Sequence, residues 1–252
     1  GDQFIKAVVT RSDDPAWKEY THLNPDMNNL IEFKNTVLNL INGETEIIKN
    51  YNHLTGKFDS TNKKRIKNFL IIEGLHSLYF NDLNQKFDLN VFLDLEEQIK
   101  KDTKLSRDLK RKKKKEKILE EIKKRKKDFE EHILPQRSFS DIYIKTILRD
   151  EVNVKFKLFF KNDYFFEFKS MLESVEGVRI LNEKQEPGLV QFDLDISNKN
   201  YVEFFNLLTE NLNNLKNNKF KLTEIGHVDN SELLCKLALI LFMLNKKIES
   251  KL

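Results

Sequence analysis

The chain has 252 residues with 39% hydrophobic and 33% charged residues, 20 Phe, 7 Gly, 4 Pro and a single Cys, and its formal net charge is +4. That composition supports one large or two ordinary folded domains and excludes disordered, collagen-like and disulfide-framed classes. One Cys also excludes a cysteine-based zinc cluster, and the longest apolar run, Leu237 to Leu244, is far shorter than a membrane span. Without a visible signal peptide, the expectation is a soluble, cytoplasmic protein with no membrane partner. The charge is unevenly placed. Between Lys100 and Lys127 there are 16 Lys/Arg against five acids, a local +11, so the rest of the chain sums to −7.

From Asn28 to Asn42 the residues Leu30, Ile31, Phe33, Val37, Leu38, Leu40 and Ile41 recur mostly at three- and four-residue steps. This predicts an amphipathic helix that Gly43 ends. Glu46 to Tyr51 reads as a short strand, followed by a turn over Asn52 to Lys57. Asn68 to Ile72 holds four consecutive apolar residues closed by Glu73 and Gly74, and Leu89 to Leu93 is a second, largely apolar segment of the same kind. Both read as strands buried on two faces, and with a short helix in His76 to Gln85 they form a βαβ unit. Glu96 to His132 lacks Gly and Pro and predicts a long helical stretch, broken within the lysine run and ended by Leu134-Pro135-Gln136. Asp141 to Ile144 is a third short strand.

The texture changes near Val152. Strands are predicted at Lys155 to Phe160, Val178 to Leu181 and Leu189 to Ile196, and helices at Tyr164 to Leu172, Tyr201 to Leu215 and Ser231 to Lys247. The expected fold class is α/β, a parallel sheet with flanking helices over residues 1–150, followed by a small α+β domain over 151–252.

Three groups of residues could carry chemistry. Glu73 lies at the carboxyl end of a predicted strand, where a carboxylate can hold Mg²⁺ directly or through water. A solvated strand end has the same sequence. Lys104, Arg107 and Arg111 are three and four apart and share one helix face, which suits a phosphate and equally a solvated basic helix. Tyr51 and His53 flank a glycine turn and can hydrogen-bond a polyol or phosphate.

Tyr51-Asn52-His53-Leu54-Thr55-Gly56, Ile71-Ile72-Glu73-Gly74-Leu75-His76, Lys104-Leu105-Ser106-Arg107-Asp108, Leu134-Pro135-Gln136 and Ser140-Asp141 follow one another in that order. Together with Trp17 to Asp26 and Gly1-Asp2-Gln3-Phe4, they resemble the core motifs of the phosphoribulokinase/uridine kinase family of P-loop kinases, on its phosphoribulokinase-like branch. The resemblance covers residues 1 to about 147. It implies an ATP-dependent kinase that transfers the γ-phosphoryl group to a hydroxyl of a sugar, sugar phosphate or nucleoside, with ATP and Mg²⁺ as cofactors. Asp2 would be the general base and Glu73 the magnesium carboxylate. Arg107 would act in catalysis and, with Lys104, face the phosphates. Residues 104–128 would form a basic lid, with Arg111 and Lys112 as its phosphate contacts, and His22, Tyr51 and His53 would line the acceptor pocket.

The sequence departs from the family pattern in places. No G-x-x-x-x-G-K-[ST] occurs in the chain. The resemblance puts that loop upstream of Gly1, in a segment that precedes this chain or was lost in its lineage. Lysines replace the usual Arg-Gly-x-Ser/Thr of the lid. A catalytically inactive binding or scaffold module is the alternative reading, and nucleic-acid binding through the lysine run ranks last because no aromatics interleave it. The expected partners are a small-molecule substrate and ATP, with a homodimer admitted.

Overall fold

A computed structural model of the chain describes residues 20–52, 57–66, 70–110, 112, 114–149, 153–160, 169–170, 173, 178–186 and 189–197. The predicted helices at 201–215 and 231–247 and most of that at 164–172 lie outside these residues, as do Asn68 and Phe69. The architecture is α/β with flanking helices, as expected, and the sheet, expected to be parallel, is mixed, with one parallel pairing among the described strands. The chain divides into two compact units, residues 1–87 with 104–139, and residues 88–103 with 140–252.

In the first unit, helix α1 spans Leu30–Ile41 and buries Phe33, Val37 and Leu40, residues spaced four and three apart on one face. Its end is a Schellman motif. The Gly43 N–H donates to Leu40 O at 2.9 Å and the Glu44 N–H to Asn39 O at 2.9 Å. Gly43 takes φ +83°, a value that glycine adopts without strain. Strands β1 (Glu46–Asn52) and β2 (Lys57–Lys64) then pair antiparallel, with a bulge at Asn50/Tyr51.

The expected inner strand at Asn68–Ile72 is not found in its described part. Leu70 to Glu73 is non-repetitive chain with no ladder partner among the described residues. A strand buried on both faces needs neighbours on both sides. Here only Ile72 packs inward, against the Phe33, Val37 and Leu83 cluster, while Ile71 is 86% exposed. The short helix α2 (Asn81–Asn84) supplies Leu83, which is fully buried.

The second unit is built on a five-stranded sheet of order β3-β4-β5-β7-β6. Its strands are β3 (Val91–Leu95), β4 (Ile142–Arg149), β5 (Asn153–Phe160), β6 (Val178–Glu186) and β7 (Leu189–Ser197). Among the described strands only β3 and β4 are parallel, and the other pairings are antiparallel. A parallel pair needs a long crossover, and between these strands lie α3 (Glu97–Lys110), α4 (Lys115–Asp128), a π-turn (Phe129–Ile133) and a 3₁₀ turn (Leu134–Phe139). The start of the pair is pinned by Asn90, whose carbonyl accepts from the N–H of Asp141 at 2.8 Å and whose own N–H donates to Asp141 Oδ2 at 2.8 Å. Ile144, Phe156, Leu158 and Leu194 form the dry centre of this sheet. In β5, Phe156 and Leu158 are buried while Lys155 and Lys157 are partly exposed, the period-two pattern of a sheet with one covered face.

The break predicted in the basic helical stretch falls at Lys112. This residue takes φ +59°, between α3 and α4.

Candidate functional site

The first unit gathers segments far apart in sequence around a polar cluster. Asn24 caps the 3₁₀ turn Pro25–Met27, accepting from the Asp26 N–H at 2.9 Å, and this turn presents Thr21 to Asn24. Asn28 holds the segment from behind, its Nδ2 donating to His22 O at 3.1 Å and Asn24 O at 3.0 Å.

The last turn of α4 meets these residues side by side. Both the N–H and the hydroxyl of Thr21 donate to Asp128 Oδ2, each at 2.7 Å. Arg125 Nη1 lies 2.7 Å from His22 Nε2 and 3.4 Å from Nδ1, against the imidazole ring. One turn further on, Asn24 Nδ2 points at His132 Nε2 at 3.3 Å. Gln136, buried, donates through Nε2 to His132 O at 2.9 Å and to Leu75 O at 3.1 Å. The Leu134-Pro135-Gln136 motif therefore ties the helical segment to the turn that follows Glu73.

Gly74 in that turn takes φ +153°, outside the range most side chains adopt. His76, two residues on, is 6% exposed and meets Tyr79 edge-on with ring centroids 5.8 Å apart. Burial pushes its pKa down to about 4, the charge of His132 works the same way, and the nearby His22 backbone opposes both.

The basic helices carry a second, ionic cluster around Asp108, which is 1% exposed on its side chain. Lys104 Nζ donates to Asp108 Oδ2 at 2.7 Å and to Glu121 Oε2 at 2.9 Å, and Arg107 Nε reaches Asp108 Oδ1 at 3.1 Å. Of these pairs, Lys104 with Glu121 crosses from α3 to α4 and ties the two helices together. Arg125 belongs to the same network. Its guanidinium is pushed down from the ordinary arginine range by burial and then by Arg107, while Asp108, Glu121 and Asp128 pull the other way.

The predicted site residues fall as follows. His22 sits in the polar cluster on Arg125. Lys104 is largely enclosed by its two carboxylates, whereas the side chain of Arg107 is 52% exposed and available to a ligand. Lys112 is exposed at the α3–α4 break. Tyr51 stands at the bulge of β1, in register with Phe58. Glu73 is exposed on the loop before Gly74. Asp2, His53 and Arg111 lie outside the described residues.

Glu73 is exposed, and no group of three His, Cys, Asp or Glu able to hold a metal exists among the described residues. This fits Mg²⁺ held by one carboxylate together with phosphate oxygens and water, and does not fit an all-protein cage. Toward ATP the chain offers cations such as Arg107 but no glycine-rich phosphate loop. No helix among the described residues is long and apolar enough to cross a membrane.

Sequence reading missed Arg125, Asp128, His132 and Gln136 as site-forming residues. The usable signal was the carboxylate of Asp128 at the end of a lysine-rich turn, a position where an acid opposes the helix dipole and so calls for a specific donor.

The pattern of the Phosphoribulokinase / Uridine kinase family matches residues 2–153. Phosphoribulokinase from Synechocystis sp. is 34% identical over 128 residues, which is 50% of this chain and 39% of that protein. Chloroplastic phosphoribulokinase from Chlamydomonas reinhardtii is 33% identical over 131 residues, 52% of this chain and 35% of that protein. The chain thus spans well under half the length of these curated relatives. Among solved structures, phosphoribulokinase from Rhodobacter spheroides superposes with a TM-score of 0.56 at 13% identity, over 76% of this chain and 78% of that one, so the two share a fold.

Proposed function

The chain belongs to the phosphoribulokinase / uridine kinase family, and from that premise we infer that it serves an ATP- and Mg²⁺-dependent kinase acting on a hydroxyl of a sugar phosphate. The observation that carries the reading is the meeting, in one unit, of three motif segments: Thr21–Asn24, Leu75–His76 and Arg125–Gln136. Convergence of distant polar segments on a few shared hydrogen bonds is how a binding site is held rigid.

In this reading Asp2 takes the proton of the acceptor hydroxyl, and Arg107 with Lys104 balances charge on the transferring group. Glu73 holds Mg²⁺, while Arg111 and Lys112 close over the phosphates from a lid spanning 104–128. His22, Tyr51 and His53 contact the acceptor. When bound, ATP supplies the phosphoryl group, and the residues of this chain orient the acceptor and move its proton. A catalytically inactive binding or scaffold module is the second reading.

The test is turnover of the full-length protein with ATP–Mg²⁺ and ribulose 5-phosphate or uridine. Phosphorylation of ribulose 5-phosphate is expected, with Asp2→Asn lowering kcat by about 10²–10⁴-fold while ATP still binds. Full activity in Asp2→Asn would remove the base assignment. Tight binding without turnover of either acceptor would favour the binding module.

A further inference from the structure

Asp128 is buried to 4% exposure, and one of its oxygens takes two bonds from a single residue far earlier in the chain. The N–H and the hydroxyl of Thr21 both donate to Asp128 Oδ2, each at 2.7 Å. The Thr21 hydroxyl oxygen in turn accepts from the Leu23 N–H at 3.2 Å, which leaves its proton for the carboxylate. Leu23 is buried, and Asn28 grips the carbonyls of His22 and Asn24. The turn Thr21–Asn24 is therefore stiff, and Asp128 holds it through Thr21. Asp128 is also the last residue of α4, a helix of 14 residues and so roughly 20 Å long. Ile118 on this helix is fully buried, and Glu121 ties it to Lys104 of α3. Its first turn lies beside the exposed Lys112 and Lys114, at the break between the two helices. The π-turn Phe129–Ile133 follows Asp128 at once, a winding found mostly as single turns at functional sites. One unbroken helix thus has the exposed cations at one end and a grip on the Thr21–Asn24 turn at the other.

We propose that the Asp128–Thr21 clasp couples the two substrates: closure of the basic helices over the phosphates of ATP, carried along α4, sets the acceptor-side turn in its binding position, so that each ligand tightens the other. This rests on the reading of residues 104–128 as a lid and of Thr21–Asn24 as part of the acceptor side. It adds to that reading a role for Asp128 as a positioning residue. A carboxylate that holds both donors of one residue fixes its backbone as well as its side chain, and the backbone is what a shift of α4 has to reach. Linkage requires the effect to be reciprocal, because the coupling free energy belongs to the pair of ligands.

Isothermal titration calorimetry of the full-length protein with ribulose 5-phosphate, alone and in saturating AMP-PNP–Mg²⁺, reads the coupling as the ratio of the two Kd values. The wild type should bind ribulose 5-phosphate about tenfold more tightly with the nucleotide analogue present, and the reverse titration should return the same factor. Thr21→Val, which removes only the hydroxyl donor, should lower the ratio to about threefold, and Asp128→Ala should bring it to about one. Asp128→Asn retains an oxygen that both donors of Thr21 can reach, and it should keep most of the ratio. A clasp that serves stability alone gives a different pattern: a lower thermal midpoint in Thr21→Val and Asp128→Ala with the wild-type ratio intact. That pattern would overturn the proposal, and so would a wild-type ratio near one. Should Asp128→Ala fail to fold, Thr21→Val decides by itself, since an undiminished ratio there ends the proposal. The two readings fail separately. A wild type that binds neither ligand defeats the kinase and the coupling together, whereas two ligands that bind without influence on each other defeat the coupling alone.

Discussion

His76 is buried to 6% exposure, and of its surroundings only the His22 backbone favours the charged ring. A proton there would have to be carried in a dry site beside His132, so the ring stays neutral down to about pH 4. In the unfolded chain the same ring titrates near 6.5. Between these values the unfolded state binds the extra proton, so stability falls as pH is lowered. The contribution is complete above about pH 6.5 and is lost by about pH 4, amounting to about 3 kcal/mol at most. His76→Phe keeps an aromatic ring and removes the proton. Denaturant titrations across pH 4 to 7 should show a shallower decline for the variant than for the wild type. Parallel curves over that window would mean that His76 does not set the acid limit.

At the scale of elements, the break between α3 and α4 is the most exposed to test. Lys112 adopts φ +59°, a left-handed conformation that costs an L residue roughly 1–2 kcal/mol. Lys112→Gly should stabilise the fold by about 0.5–1 kcal/mol, the relieved strain less the extra freedom glycine gains when unfolded. Lys112→Val should destabilise it, and equal midpoints for the two variants would refute a strained turn. The break itself was legible only as a location within a lysine run, because side-chain repulsion is readable in sequence and a φ value is not. Helix α1 was legible to within a residue or two because burial, periodicity and the Gly43 cap agree. Strand β2 was not, since its Lys57–Lys64 sequence is polar apart from Phe58 and its pairing comes from backbone bonds to β1. Leu70 to Ile72 misled for the opposite reason: apolar composition announces burial and leaves pairing unspecified. In the site, His22 stood out as a residue type within a motif. Arg125 and Asp128 were hidden, because among so many lysines and acids only three-dimensional proximity distinguishes the pair that meets His22 and Thr21.

Across the whole molecule, charge is segregated, with +11 over residues 100–127 against −7 elsewhere, and the packing treats that excess unequally. On the helices it is balanced locally: Lys104 by Asp108 and Glu121, and Lys124 by Glu120 at 3.1 Å. In the run 110–115 it is not. Lys110, Lys112, Lys114 and Lys115 are exposed, and no ion pair is found for them among the described residues. Six cations in a row lie well within one Debye length of their neighbours, about 8 Å at physiological salt, so they repel each other in the folded chain. A polyanion that binds there relieves the repulsion and should stabilise the fold by mass action. Inorganic tripolyphosphate is thus expected to raise the thermal midpoint at low salt, with the gain shrinking as salt rises. Replacing Lys110, Lys114 and Lys115 together by Gln should raise the midpoint of the unliganded protein by about 1–3 °C at low salt and remove most of the tripolyphosphate response. If tripolyphosphate shifted the triple variant as much as the wild type, the anion would be bound elsewhere and the run would have no role as a phosphate-facing lid.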